Sequence, residues 1–75
     1  MNEIAKILAK LEKQIKDLEN KVKEKDKDYE SQHLQIDTIM KNYIIAVNDI
    51  PNILYRKELA ERILELNKKI TKYYA

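Results

Sequence analysis

Glu30 and His33 have the spacing that a helix-borne metal site requires. They are three residues apart, so one helical face would offer a carboxylate and an imidazole together. Such a site also needs further carboxylates that face inward, whereas His33 is the only histidine and stands beside the most polar stretch of the chain. We interpret the pair as a solvated helix flank, and we predict no metal ligands and no cofactor.

Glu58, Glu61 and Glu65 form an acidic edge on a segment with helical periodicity. A catalytic carboxylate needs a buried setting, but these residues alternate with cations such as Arg62 and Lys69. The sequence also has no cysteine nucleophile and no glycine-rich phosphate loop. A salt-bridged, exposed face is therefore favoured, and we predict no catalytic residues and no enzyme activity.

Lysines and aromatic rings gather near the end of the chain, where Lys68, Lys69 and Lys72 precede Tyr73 and Tyr74. That mixture suits nucleic acid, through phosphate contacts and base stacking. Lysines in a last helical turn also complement the helix dipole, which is the simpler explanation. The net charge of +2 argues only weakly for a polyanionic partner. The three lysines are candidate phosphate contacts, and a basic nucleic-acid-binding protein is the alternative function.

The elements that position these side chains must be helices. The 75 residues include no glycine and one proline, and Lys, Glu, Leu and Ile are abundant. No apolar run reaches the roughly 18–20 residues that span a bilayer, and the start lacks a signal-peptide layout. We expect an all-α, soluble cytoplasmic protein with no membrane partner. The frequent Ile, Lys, Asn and Tyr are typical of a low-GC bacterium or phage.

A heptad repeat occupies the first part of the chain, with apolar residues separated alternately by four and three positions. β-branched residues at a with Leu at d favour a parallel dimer, while Leu8 at an a position leaves a trimer possible. So narrow a stripe suits a coiled coil better than a globular core. We predict that residues 1–28 form a multimerisation arm. Its oligomer contacts, called here the heptad seam, are Ile4, Leu8, Leu11, Ile15, Leu18 and Val22.

The polar residues 23–33 allow two interpretations of the first helix. The heptad phase continues beyond them to Ile36 and Ile39, and they contain neither glycine nor proline, which favours one long helix ending near Asn48. In the alternative, the helix breaks, Asp28 caps a new one, and three short helices fold into one compact bundle. We favour the long helix.

A second helix is predicted to fold back on the first. Between residues 34 and 47 the apolar stripe widens, because Met40 and Ile44 flank it, and so broad a face needs two neighbours. Pro51 disfavours helix at the residue before it, which places a turn at residues 48–52. Residues 29–75 then form a helical-hairpin body that homo-oligomerisation completes. Its predicted core is Ile36, Ile39, Tyr43, Val47, Leu59, Ile63, Leu66 and Ile70.

In the second helix, which should span about residues 53–73, the end next to the turn combines apolar groups with Tyr and Arg, types enriched at binding hot spots. Packing within an oligomer explains this cluster about equally well. The leading hypothesis is a non-enzymatic, self-associating module that binds another protein as adaptor, scaffold or inhibitor. A bundle that holds a small ligand between subunits is a third interpretation. The candidate partner-binding residues are Ile50, Ile53, Leu54, Tyr55 and Arg56.

Overall fold

Three α-helices pack around one core. The computed structural model describes residues 3–72, in which α1 spans Glu3–Lys23, α2 spans Tyr29–Ala46 and α3 spans Ile53–Thr71. A short 3-10 turn, Val47–Asp49, follows α2. Each helix contacts the other two, and the bundle measures 36 × 22 × 18 Å. The all-α prediction is confirmed for these residues.

The prediction of one long N-terminal helix is wrong, because the chain reverses between α1 and α2. Lys25 has a left-handed backbone with φ of 58°. The backbone N–H groups of Asp26 and Lys25 donate to the carbonyls of Lys21 and Val22, at 3.0 and 3.1 Å. These two bonds form a Schellman motif, which ends a helix and normally has glycine at the left-handed position. A lysine there costs roughly 1–2 kcal/mol, because its Cβ crowds the following carbonyl.

Polar side chains complete the reversal. Asp26 Oδ1 accepts from the backbone N–H of Asp28 at 2.8 Å, and Asp28 caps α2 by accepting from that of Ser31 at 3.2 Å. Gln32, only 1% exposed, donates from Nε2 to the carbonyl of Asp26 at 2.9 Å. The polar residues of the 23–33 segment therefore build and close a turn. The alternative interpretation, with Asp28 as a cap, describes this region correctly.

Five of the six residues of the heptad seam lie in or against the chain's own core, and Ile4 is half-buried outside it. Leu11, Ile15 and Leu18 are fully buried, in one cluster with residues of α2 and α3. Leu8 and Val22 pack against that cluster. In this structure α1 is thus part of the bundle and does not project from it as an arm, since its apolar stripe already has intramolecular neighbours. The buried cluster consists of Leu11, Ile15, Leu18, Ile36, Ile39, Ile50, Leu59, Ile63, Leu66 and Ile70.

Other predicted core positions lie at the edge of this cluster. Tyr43 packs against it but is partly exposed, and Val47 lies in the 3-10 turn, half-buried and outside the cluster. Asn52 caps α3, with its side-chain oxygen accepting from the backbone N–H of Tyr55 at 3.1 Å. Short turns thus make α2 the antiparallel neighbour of both other helices, while α1 and α3 run parallel.

Lys25→Gly should raise the free energy of unfolding by about 1 kcal/mol, because glycine adopts positive φ without a Cβ clash but has more backbone entropy to lose. For a domain of this size the midpoint temperature would rise by about 4–8 °C. Thermal unfolding followed by circular dichroism measures the change. Lys25→Ala removes the charge and keeps the Cβ, so it should give no gain. Equal gains in the two variants would show that the lysine charge, and not the backbone, is unfavourable.

Candidate functional site

An apolar groove runs between α2 and α3 on the outside of the bundle. Its volume is about 290 Å³, and the exposed atoms that line it are entirely apolar. Ile53 extends it along α3, because it lies two turns before Ala60 on the same helical face. We call the groove with this extension the α2–α3 surface. The groove is lined by Met40, Tyr43, Ile44, Ala60, Ile63 and Leu64.

This surface exists because both helices carry more apolar residues than the core can cover. Met40 follows the core residue Ile39, and Ile44 follows Tyr43, which packs against the core. Ala60 and Leu64 each follow a core residue of α3. One residue further along a helix is a rotation of roughly 100°, which moves a side chain from the core to the flank. Ile44 is 69% exposed and Leu64 is 58% exposed. Contiguous exposed apolar groups of this kind mark interaction sites.

Leu34 and Ile45 are also exposed, but they do not form a comparable surface. They lie on one helical stripe of α2 that faces away from α3, with Thr38 and Lys41 between them. Leu34 and Thr38 border a groove between α1 and α2 that is otherwise lined by polar residues. Single apolar residues at a protein surface are common and indicate no function. Ile45 is therefore a useful comparison for its neighbour Ile44, which has the same side chain in the groove.

The structure divides the candidate partner-binding residues into two groups. Ile50 is 1% exposed and belongs to the core, and Tyr55 packs against that core. Arg56 donates from one terminal nitrogen to the carbonyl of Ile50 at 2.6 Å, which holds the turn before α3. Ile53 and Leu54, by contrast, are 72% and 79% exposed. Only these two are accessible to a partner through most of their side chains.

The candidate phosphate contacts Lys68, Lys69 and Lys72 are exposed at the end of α3. The Nζ atom of Lys69 is 3.9 Å from Glu65 Oε1. Because α1 and α3 run parallel, Lys21 and Lys23 lie at the same end of the bundle. The acidic residues of the turn between α1 and α2 lie at that end too. These lysines therefore do not form an uninterrupted basic patch. Tyr73 and Tyr74 lie outside the described residues.

A second groove, between α1 and α3, has mixed charges. Glu58, Glu61 and Glu65 line it together with Arg62 and with lysines from both helices. Arg62 binds Glu19 of α1 through two nitrogens, with Nε to Oε2 at 3.1 Å. This hydrogen bond raises the pKa of the guanidinium above its ordinary value, so Arg62 is a permanent cation. The pair joins the two parallel helices, and the acidic edge is part of a salt-bridged surface.

The Glu30–His33 pair lies at the start of α2. Glu30 is exposed and His33 is half-buried on the first turns of α2. Among residues 3–72 no cluster of three or more His, Cys, Asp or Glu side chains could hold a metal ion. None of the helices in this part of the chain combines the length and apolar character needed to cross a membrane.

No protein-family model, curated protein or solved structure matches this chain. The sequence did signal part of the α2–α3 surface, since Met40 and Ile44 stand out as flanks of the predicted core stripe. The sequence gives no comparable signal for Ala60 and Leu64, because either residue could equally well be buried in an oligomer interface.

Proposed function

We propose that this protein is a non-enzymatic helical interaction module that self-associates through the α2–α3 surface. The observation that carries the proposal is an apolar groove crossing two helices, next to a core that is already closed without it. Self-association through the heptad seam would require exposing Leu11, Ile15 and Leu18, which are fully buried. The α2–α3 surface is available without any such rearrangement.

The exposed apolar side chains of the α2–α3 surface offer enough burial energy for a weak dimer. Met40, Ile44, Ile53 and Leu64 together expose the equivalent of a little over two complete side chains. Each complete aliphatic side chain contributes about 1.5–3 kcal/mol on burial, so two copies would gain roughly 7–14 kcal/mol. Association of two proteins costs about 4–15 kcal/mol in lost freedom. The two terms are comparable, so we expect a dimer whose population depends on protein concentration.

A dimer would carry two copies of every other exposed surface of the chain. Leu54, 79% exposed at the start of α3, lies outside the groove and stays accessible in the dimer. A second protein that binds there would be held in two copies, as an adaptor or a scaffold requires. The nucleic-acid alternative has less support, because acidic residues lie beside the lysines at the C-terminal ends of α1 and α3.

Ile44→Asp should abolish self-association, because it places a charge inside the proposed interface. Light scattering on a size-exclusion column measures the mass: the unaltered chain should approach twice 9.0 kDa at high concentration, and the variant should remain at 9.0 kDa. Ile45→Asp is the matched control, since Ile45 is 60% exposed on the outward face and should keep the mass of the parent.

Circular dichroism should show that both variants stay helical, because neither residue is in the core cluster. A parent chain that stays at 9.0 kDa throughout the micromolar range would refute self-association. Equal mass loss in the two variants would place the interface elsewhere on α2. A mass near three times the monomer would replace the dimer by a trimer.

A further inference from the structure

The two ends of the α2–α3 surface carry different charges. Met40 and Leu64 line the groove from opposite sides. Asp37 on α2 and Lys68 on α3 are both exposed and lie one helical turn further along, at the end of the bundle where α1 connects to α2. The opposite end, beside Ile53, carries Lys57 on α3. No carboxylate lies on the last turn of α2 itself, and exposed Asp49 follows in the 3-10 turn. A second copy placed on this surface therefore meets charges that depend on its direction.

Two-fold symmetry allows two simple arrangements of the copies. If the axis runs along the helices, α2 of one copy lies on α3 of the other and the two bundles point the same way. If the axis runs across the helices, α2 lies on α2, α3 lies on α3 and the bundles point in opposite directions. The apolar side chains meet in both cases, so the charged residues at the ends distinguish them.

The parallel arrangement pairs complementary groups. It brings Asp37 of each copy towards Lys68 of the other, which gives two ion pairs at one end of the interface. It also sets Ile44 against Ala60 of the second copy, a large side chain against a small one. The antiparallel arrangement instead brings Lys57 of each copy towards Lys68 of the other, and like charges in contact oppose association.

We infer that the occupant of the α2–α3 surface is a second copy of this chain in the parallel arrangement, with Asp37 of each copy paired to Lys68 of the other. The inference rests on the proposed function and adds the direction and the charged contacts of the interface. It also places both exposed Leu54 side chains at the same end of the dimer.

Charge reversal tests the pairing. Asp37→Lys should weaken dimerisation about tenfold, and so should Lys68→Asp, because each replaces two exposed attractions by repulsions. Asp37→Lys combined with Lys68→Asp should restore the affinity to within about threefold of the parent. Asp17→Lys is the control for Asp37→Lys: it changes the net charge equally but lies on α1, outside this surface, and it should leave the affinity unchanged. Sedimentation equilibrium measures the dissociation constants.

Cysteine pairing tests the direction independently, since the sequence contains no cysteine. Under mild oxidation, a mixture of Asp37→Cys and Lys68→Cys chains should form a disulfide-linked pair. A mixture of Lys57→Cys and Lys68→Cys chains should form far less of one, because those positions lie at opposite ends of a parallel dimer. The reverse cross-linking result would establish the antiparallel arrangement and overturn the inference.

The inference and the proposed function fail in different ways. If Ile44→Asp dissociates the dimer but the double charge reversal does not restore the single-variant losses, the surface is an interface and the pairing is wrong. If the parent chain is monomeric and Ile44→Asp changes nothing, the self-association itself is wrong. In that case the groove belongs to a different protein, and the inference falls with it.

Discussion

Removal of residues 1–28 should leave a chain that no longer unfolds cooperatively. These residues contain α1, whose Leu11, Ile15 and Leu18 are fully buried against α2 and α3. Replacing one such leucine or isoleucine by alanine typically costs about 2–5 kcal/mol. Losing all three would cost roughly 6–15 kcal/mol, which is as much as the roughly 5–15 kcal/mol that stabilises a small domain. Circular dichroism of residues 29–75 should therefore show a broad, shallow thermal change.

The matched control for this truncation is the missing segment itself. A peptide of residues 1–28, added to the truncated chain, should restore part of the helical signal, because it resupplies the buried face of α1. A truncated chain that melts sharply at the temperature of the full chain would show that α1 is a dispensable arm. The heptad prediction would then be correct and the intramolecular packing would not be essential.

Leu18→Asp should unfold the protein at every concentration. The carboxylate would replace a fully buried leucine, and an uncompensated buried charge costs about 3–5 kcal/mol beyond the lost packing. Chemical denaturation monitored by circular dichroism gives the free energy of unfolding. Leu34→Asp is the control, because Leu34 is 63% exposed, and it should change that energy by less than about 0.5 kcal/mol.

Oligomeric mass separates the two interpretations of Leu18. In the coiled-coil interpretation the aspartate would break an intermolecular contact, giving a helical monomer that still unfolds cooperatively. In the bundle it removes the fold itself, so helical signal and cooperativity disappear together. A folded, monomeric Leu18→Asp chain would restore the coiled-coil interpretation.

The apolar periodicity predicted which face of each helix is buried, but it could not predict how the helices connect. Val22 and Tyr29 are seven residues apart, so the heptad phase is the same on both sides of the turn. That coincidence made α1 and α2 look like one helix. Each helix directs its stripe into the same core, so an intramolecular bundle and an intermolecular coiled coil require the same residues in this region.

The turn between α1 and α2 was hard to predict because it lacks the usual residues. Lys25 occupies the left-handed position, and neither glycine nor proline marks the end of α1. The signal that did exist was polar: Asp28 is a good helix cap, and Gln32 interrupts the apolar series. In the structure the buried amide of Gln32 donates to the carbonyl of Asp26 and so helps to close the turn.

The candidate site was predictable only in part, for a related reason. Met40 and Ile44 are visibly apolar beyond the core stripe, yet exposure depends on how much of them the neighbouring helix covers. At the start of α3 the sequence grouped Ile50 with Ile53 and Leu54, because all three are apolar and adjacent to Pro51. Closing the bundle buries the first and leaves the other two exposed, and that division follows from the packing of all three helices.

The short connections also determine how quickly this chain finds its structure. α2 lies next to both of its partners in sequence, so two of the three helix contacts form by closing brief loops at little entropic cost. Only the approach of α1 to α3 joins segments that are distant in sequence. Bundles with such local connectivity fold in microseconds to milliseconds. The apolar core is therefore exposed only briefly during folding, which limits the aggregation that slower folders risk.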